Sequence, residues 1–277
     1  MPVPASSLPE TRDALSRATD RLADLLRSLP DSRAVIPGSS WTVGDAAAHV
    51  VMDLRTEALV AGGEAVSWSE DATSAPGTPE GVGDLNARAV TAETERNPQE
   101  LASMLATATE DFLAASADHP PDYPMPSQYF QGTMALDLAG VTSIDLGEVL
   151  VHGYDIAKTT GRAWPIDAHE ARLVLPAALR LVPAYVNPQT AHGHTGSYDL
   201  RIRGGPRVVV RFRAGIATLE EPGGGPVDCH ILANPLAFLL VLYGRISQWR
   251  PIAKGQLLAW GRRPWRALGF KQLFRNP

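Results

Sequence analysis

Residues 144–155 read IDLGEVLVHGYD, an apolar segment that carries polar side chains at helical spacing. Glu148 and His152 are four residues apart, so they lie on one face of a helix, and Asp145 and Asp155 extend that face at spacings of three. The other residues are mainly apolar or glycine, which is typical of a buried helix. Because a buried charge without a partner is costly, Glu148 and His152 require partners, which could be a metal ion or simply each other.

A second histidine occurs in an earlier predicted helix. Thr42 and Asp45 have the spacing of a capping box, which predicts a helix that begins at Thr42 and ends near Gly62. His49 lies about two turns into that helix among small and apolar residues, where it can face the interior of a bundle. Two histidines and one carboxylate from facing helices match a catalytic divalent-metal site with open positions for water or substrate. The competing interpretation is that His49 is a core histidine with satisfied hydrogen bonds.

The first part of the chain predicts four long helices. Start signals at Ser7 and Asn97, each followed by periodic apolar residues, predict two helices besides the one at Thr42. The fourth begins after Ser143 and ends near Gly161. A stretch rich in Gly, Ser, Thr, Pro and acidic residues over 63–83 predicts a long exposed loop. Four helices joined in this way are typical of a four-helix bundle.

The pattern changes in the last part of the chain. Alternating residues over 198–203, a Gly-Gly-Pro turn and a second apolar run over 208–212 predict a β-hairpin, and two more strands and a helix follow. We therefore predict an α domain plus an α+β domain: a helical bundle over residues 1–165 and a smaller α+β domain over residues 166–277.

Charge divides the chain at a similar point. Residues 1–186 hold 26 acidic and 12 basic residues, a net charge of −14, whereas residues 187–277 hold 4 acidic and 13 basic residues, a net charge of +9. The two halves could dock on each other, or the basic half could bind an anionic small molecule. Nucleic-acid binding is not expected, because the basic residues lack an aromatic platform or a helix-turn-helix pattern. The pattern predicts no membrane span and no signal peptide, so a cytoplasmic location is expected, and the oligomeric state is left open.

Two further residues bear on the chemistry. Cys229 is the single cysteine, so no internal disulfide can form, and it lies on the apolar face of a predicted strand, where a thiol is expected to be buried and unreactive. Arg245 directly follows an apolar helix and is a candidate for binding an anionic substrate; the alternative is a surface arginine at a helix end. His192 and His194 lie in a glycine-rich segment, which favours a turn over a metal site.

Two blocks of this sequence resemble a known family. The WTVGD block with its histidine (residues 41–49) and GEVLVHGYD (residues 147–155) resemble the N-terminal domain of mycothiol-dependent maleylpyruvate isomerases, which belong to the DinB-like metal-binding bundles. The resemblance implies that His49, Glu148 and His152 are the metal ligands. Residues 234–245 and 255–261 resemble the C-terminal domain of the same family, which is similar to sterol-carrier proteins.

The resemblance also implies a reaction. It implies a divalent metal, zinc being the first choice, and mycothiol as thiol cosubstrate, with a small electrophilic molecule as substrate. Addition of the thiolate would turn the double bond of a maleylpyruvate-like cis-enone acid into a single bond, and rotation and expulsion of the thiol would give the trans isomer. With another electrophile the same addition would end as thiol S-transfer. The rival interpretations are a non-catalytic protein that binds a small ligand and a zinc sensor, in both of which the metal is structural.

Overall fold

The computed structural model describes residues 3–64, 66, 78–126 and 136–276. The chain divides into two compact units, of which one is Ser7–Pro165 and the other is Ile166–Pro277 together with the N-terminal residues up to Ser6. In the described residues, no helix combines the length and the apolar character that crossing a membrane would require.

The N-terminal unit is a helical bundle with one additional helix. Its helices are α1 (Leu8–Arg27), α2 (Val43–Ala61), α3 (Pro79–Ala92), α4 (Pro98–Ala115) and α5 (Leu138–Thr160). Both α1 and α2 pack against α4 and α5, so these four helices form the bundle, and α3 packs against α2. Just before α5, strand β1 (Pro124–Met125) pairs antiparallel with β2 (Leu136–Asp137). The predicted N-terminal four-helix bundle is confirmed.

Two details of this unit differ from the sequence prediction. Helix α3 begins inside the stretch predicted as a long loop, where the Thr78 side chain accepts a hydrogen bond from the Gly81 amide; residues 65 and 67–77 of that stretch lie outside the described residues. Helix α5 begins at Leu138 rather than after Ser143, because Asp137 caps it by accepting a hydrogen bond from the Gly140 amide. Asp137 therefore sets the start of α5, although the residues that follow it carry no recognisable start signal.

A tight contact holds the middle of α5 against the segment that follows it. Trp164 donates a hydrogen bond from its indole nitrogen to the Leu150 carbonyl at 2.9 Å. Its ring lies so close to Gly153 that a Cβ atom built there would be 2.1 Å from the indole. The glycine next to His152 is therefore required for the packing of this part of α5.

We expect Gly153→Ala to destabilise the protein by about 1–3 kcal/mol, because the indole must move and its hydrogen bond to Leu150 is strained or lost. Urea unfolding of the metal-free protein measures the change. Gly83→Ala is the matched control, since a Cβ there meets nothing within 4 Å, and alanine in a helix is about 0.5–1 kcal/mol more favourable than glycine. Equal stability of Gly153→Ala and the wild type would contradict the packing role.

The C-terminal unit is a mixed sheet with helices. Its strands are β3 (Gly196–Ile202), β4 (Arg207–Arg213), β5 (Ile216–Glu220), β6 (Cys229–Ala233) and β7 (Leu257–Trp260). They lie in the order β5-β4-β3-β6-β7, with β3 and β6 parallel and the other neighbours antiparallel. The helices are α6 (Ala168–Leu181), α7 (Pro235–Leu242), α8 (Trp249–Ala253) and α9 (Ala267–Phe270). This arrangement confirms the α+β class and the predicted hairpin, while β7 was not predicted.

A cavity of about 110 Å³ lies within this unit. Its walls are almost entirely apolar. They come from strands of the sheet and from helices α6, α7, α8 and α9. They include Leu179, Leu200, Val210, Phe238, Phe270 and Phe274. The C-terminal unit therefore keeps apolar space that its own side chains do not fill.

Candidate metal centre

His49 is positioned by the start of α2. The Thr42 side chain accepts a hydrogen bond from the Asp45 amide, and the Asp45 carboxylate accepts one from the Thr42 amide, which confirms the predicted capping box. Asp45 also accepts a hydrogen bond from Arg96 at 2.9 Å, which ties the first turn of α2 to the segment before α4. His49 lies one turn beyond Asp45 and is only 2% exposed.

Glu148 and His152 are positioned by the middle of α5. Both lie on the same helix face, one turn apart, and their neighbours Val149, Leu150 and Val151 are buried. The side chain of Glu148 is 21% exposed, and that of His152 is 10% exposed. The indole hydrogen bond to Leu150 fixes the same stretch of backbone.

Three ligand-type atoms converge between α2 and α5. The Glu148 Oε2 atom lies 3.4 Å from His49 Nε2 and 3.3 Å from His152 Nε2. The candidate ligand atoms of His49, Glu148 and His152 all lie within 4.8 Å of one another. The structure therefore brings together the three residues that the sequence singled out.

Trp41 lies against both imidazoles. Its ring centroid is 5.1 Å from that of His49 and 5.9 Å from that of His152. The indole thus covers one side of the cluster and restricts how the two rings can turn. Trp41 could not be assigned to the cluster from the sequence, because the direction of its side chain depends on the turn that precedes α2.

Electrostatic interactions keep Glu148 ionised. Burial alone would raise the pKa of Glu148, but hydrogen bonds with His152 and His49, together with the charges of the two imidazoles, hold the pKa well below its usual range. An ionised carboxylate between two imidazole nitrogens is the form that binds a metal.

The pKa values of two other carboxyl groups nearby are raised instead of lowered. Burial raises the pKa of Glu57 to about 8, with a further contribution from the charge of Asp53. Burial also raises the pKa of Asp145 well above its usual range, with further contributions from the charges of Glu57, Asp53 and Glu148. The Asp145 Oδ2 atom is buried without a hydrogen-bond partner. Such a crowded group of buried carboxylates would be relieved by a cation.

The arrangement fits a divalent metal ion. Two imidazole nitrogens and one carboxylate oxygen are a donor set used by catalytic zinc sites, which keep further positions for water or substrate. Asp155 lies on the other side of one imidazole, with Oδ2 at 3.7 Å from His152 Nδ1. A carboxylate beyond a coordinating histidine commonly fixes the orientation of the ring. That His49, Glu148 and His152 bind a metal stays a prediction.

The remaining predicted residues lie in the C-terminal unit. Arg245 is partly buried after α7, and its guanidinium donates a hydrogen bond to the Tyr243 carbonyl at 2.7 Å. Cys229 is buried at the start of β6, and burial raises the pKa of its thiol. His194 lies 3.0 Å from the Tyr198 hydroxyl and packs on aromatic rings, which is a structural environment.

Comparison with solved structures supports the fold of both units. The crystal structure of a mycothiol-dependent maleylpyruvate isomerase is 12% identical, with a TM-score of 0.50, and the similarity covers 91% of this chain and 92% of that chain. A mutant of that isomerase with one histidine replaced by alanine gives 11% identity and a TM-score of 0.52 at the same coverage. At such low identity, the similarity shows a common fold.

Comparison at the level of sequence gives one family. No protein of curated function matches the chain. Residues 15–157, just over half of the chain, match the mycothiol maleylpyruvate isomerase N-terminal domain, and this range includes α2, most of α5 and all three candidate ligands. The chain therefore belongs to the family defined by the mycothiol maleylpyruvate isomerase N-terminal domain.

Proposed function

We propose that the protein is a metal-dependent enzyme that uses a low-molecular-weight thiol, mycothiol, to isomerise a cis-enone acid of the maleylpyruvate type or to transfer the thiol to another electrophile. The convergence of His49, Glu148 and His152 carries this proposal, because the three residues would hold a divalent ion and leave positions open. A divalent ion bound there would lower the pKa of a coordinated thiol, so that the reactive thiolate exists at neutral pH.

Neighbouring side chains would shield the site and fix the orientation of its ligands. Trp41 covers one side of both imidazoles and limits the access of water from that side. Asp155 Oδ2 lies 3.7 Å from His152 Nδ1, and a small approach to hydrogen-bond distance would let it orient the ring. The ionised Glu148 supplies the single negative charge of the predicted ligand set.

The chain does not offer a thiol of its own for this chemistry. Cys229 is its one cysteine, lies in the C-terminal unit and is buried, and burial raises the pKa of its thiol. Such a thiol is a poor nucleophile at neutral pH. An external thiol is therefore needed, which agrees with the mycothiol named in the description of the family.

The proposed isomerisation needs no oxidant or other co-reactant. A C–S bond forms as the thiolate adds to the double bond, whose π electrons move towards the adjacent carbonyl. The resulting single bond rotates, and return of the electrons expels the thiolate and restores the double bond in the trans form. We expect the zinc-loaded protein with mycothiol to convert maleylpyruvate to its trans isomer, as followed by NMR. No conversion of this substrate, together with thiol adduct formation on an electrophile such as monobromobimane, would instead assign the S-transferase reaction.

We further propose that Arg245 contacts an anionic group of the substrate or thiol adduct. Its guanidinium can pair with a carboxylate through two parallel hydrogen bonds, which lysine cannot reproduce. We expect both Arg245→Ala and Arg245→Lys to lower kcat/KM, by about 2 kcal/mol or more in transition-state stabilisation for the alanine variant.

Steady-state kinetics at matched metal content tests the role of Arg245. Arg213→Ala is the control, since Arg213 is an exposed arginine at the end of β4 in the same unit. Thermal unfolding is measured alongside, because Arg245 also supports the Tyr243 carbonyl. An Arg245→Ala variant with wild-type kcat/KM would exclude substrate binding by this residue.

A non-catalytic role has one observation in its favour. The apolar cavity of the C-terminal unit could hold a small apolar ligand, in which case the metal would be structural. Structural zinc sites are usually closed, whereas catalytic sites keep a position for water. A bound metal that no thiol can reach would favour this second function, and the same result would favour a zinc-sensing protein.

A further inference from the structure

A second side chain on α2, that of Asp53, lies beside the candidate ligands. Asp53 follows His49 by one helical turn, so both lie on the same face. The Asp53 Oδ2 atom is 3.2 Å from His49 Nε2, the same nitrogen that lies 3.4 Å from Glu148 Oε2. Asp53 is not part of the group whose ligand atoms all lie within 4.8 Å of one another. It therefore borders the cluster on the side of His49.

Metal binding would change the partners of Asp53. A histidine nitrogen that coordinates a metal carries no proton, so His49 Nε2 cannot both bind the ion and donate a hydrogen bond to Asp53. The Asp53 side chain is only 12% exposed, which leaves its carboxylate little access to water. The negative charge of Asp53 also contributes to the raised pKa of both Glu57 and Asp145, so the surroundings of Asp53 are short of positive charge. A cation at the cluster would be the favourable partner for a displaced carboxylate.

The distances agree with a ligand position. Donor atoms about 2.0–2.2 Å from a tetrahedral zinc ion lie roughly 3.3–3.6 Å from one another. Glu148 Oε2 is 3.4 Å from His49 Nε2 and 3.3 Å from His152 Nε2, and Asp53 Oδ2 is 3.2 Å from His49 Nε2. Asp53 thus has the separation from His49 that neighbouring ligands have, and it would have to move closer to the other two ligand atoms to bind the ion.

We propose that Asp53 is a fourth, displaceable metal ligand, which occupies the open position when no thiol is bound and yields it to the thiolate. This inference rests on the proposed function. In such an exchange the thiol would lose its proton to solvent, its sulfur would take the position, and the Asp53 carboxylate would leave as an anion. One anion replaces another, so the net charge of the buried centre is unchanged, which keeps the electrostatic cost of the exchange small.

Cobalt substitution tests the role of Asp53. The metal-depleted full-length protein, Asp53→Asn and the control Asp111→Asn are titrated with Co²⁺, and each is then titrated with 2-mercaptoethanol while the visible and charge-transfer absorption is recorded. In Asp53→Asn we expect a changed visible spectrum, Co²⁺ affinity about tenfold weaker, and thiol binding about tenfold tighter, since no carboxylate has to be displaced. Asp111→Asn removes an exposed carboxylate on α4 in the same unit instead, and its spectrum and thiol affinity should equal those of the wild type.

The combination of weaker metal binding and tighter thiol binding separates a ligand from a residue that only orients His49. An orienting residue would lower the metal affinity without raising the thiol affinity. Unchanged spectrum and thiol affinity in Asp53→Asn, and in Asp53→Ser as a second variant checked for folding by circular dichroism, would overturn the inference and leave the proposed function intact. A wild-type protein that binds no Co²⁺ would overturn both.

Discussion

His152→Ala is expected to lower the zinc content of the purified protein from about one ion per chain to almost none, because the substitution removes one of three predicted protein ligands. His49→Ala and Glu148→Ala should act in the same way. The affinity should fall by at least about 100-fold, since even the loss of a residue that only supports a ligand costs about 10–100-fold. Metal analysis after equilibration with a defined zinc buffer measures the change.

The fold should survive these substitutions, because the bundle has an apolar core of its own. Leu15, Leu22, Leu101 and Phe112 are fully buried on α1 and α4, which carry none of the predicted ligands. His192→Ala is the control, because His192 is an exposed histidine in the C-terminal unit. Circular dichroism of every variant checks the fold. A folded His152→Ala protein with full zinc occupancy would show that the metal, if any, binds elsewhere.

Local signals were enough to predict the helices that carry the site. The Thr42 and Asp45 pair begins α2 through hydrogen bonds within a single turn, so four residues of sequence contain the whole signal. Helix α3 was not predicted, because it is stabilised by packing against α2, a helix elsewhere in the chain. Pro79, Gly81 and Gly83 read as a loop, while the buried Leu85 and Val90 belong to a helix that packs against α2. Tertiary packing of this kind is not visible in a short window of sequence.

The three candidate ligands could be found from sequence because of their spacing and their setting. Glu148 and His152 lie on an otherwise apolar helix, where polar residues stand out. Asp53 has the same helical spacing from His49, but the α2 segment around it also contains Arg55 and Glu57, so an acidic residue there reads as solvent-exposed. The signal that could have found Asp53 and Glu57 is their position four and eight residues after His49, on the face that turns towards α5.

Turnover is expected to require an added thiol and to survive Cys229→Ser. Without a thiol the rate should fall to that of the uncatalysed reaction, because the nucleophile would be missing, whereas Cys229→Ser with mycothiol should retain the kcat/KM of the wild type. Cys229 is buried at the start of β6, and burial raises the pKa of its thiol more than the charge of Arg266 lowers it, so the thiolate is disfavoured.

The assay must separate loss of a nucleophile from loss of stability. Serine is close to cysteine in size but more polar, and placing its hydroxyl in a buried site costs about 1–3 kcal/mol unless it finds a hydrogen-bond partner. Cys229→Ala is therefore the matched variant, and both are compared with the wild type for metal content and thermal unfolding before kinetics. If both variants are folded and loaded with metal but inactive with added mycothiol, Cys229 takes part in the reaction and the external-thiol mechanism is wrong. If only the serine variant loses activity, together with its stability, the buried thiol has a packing role and the external thiol remains the nucleophile.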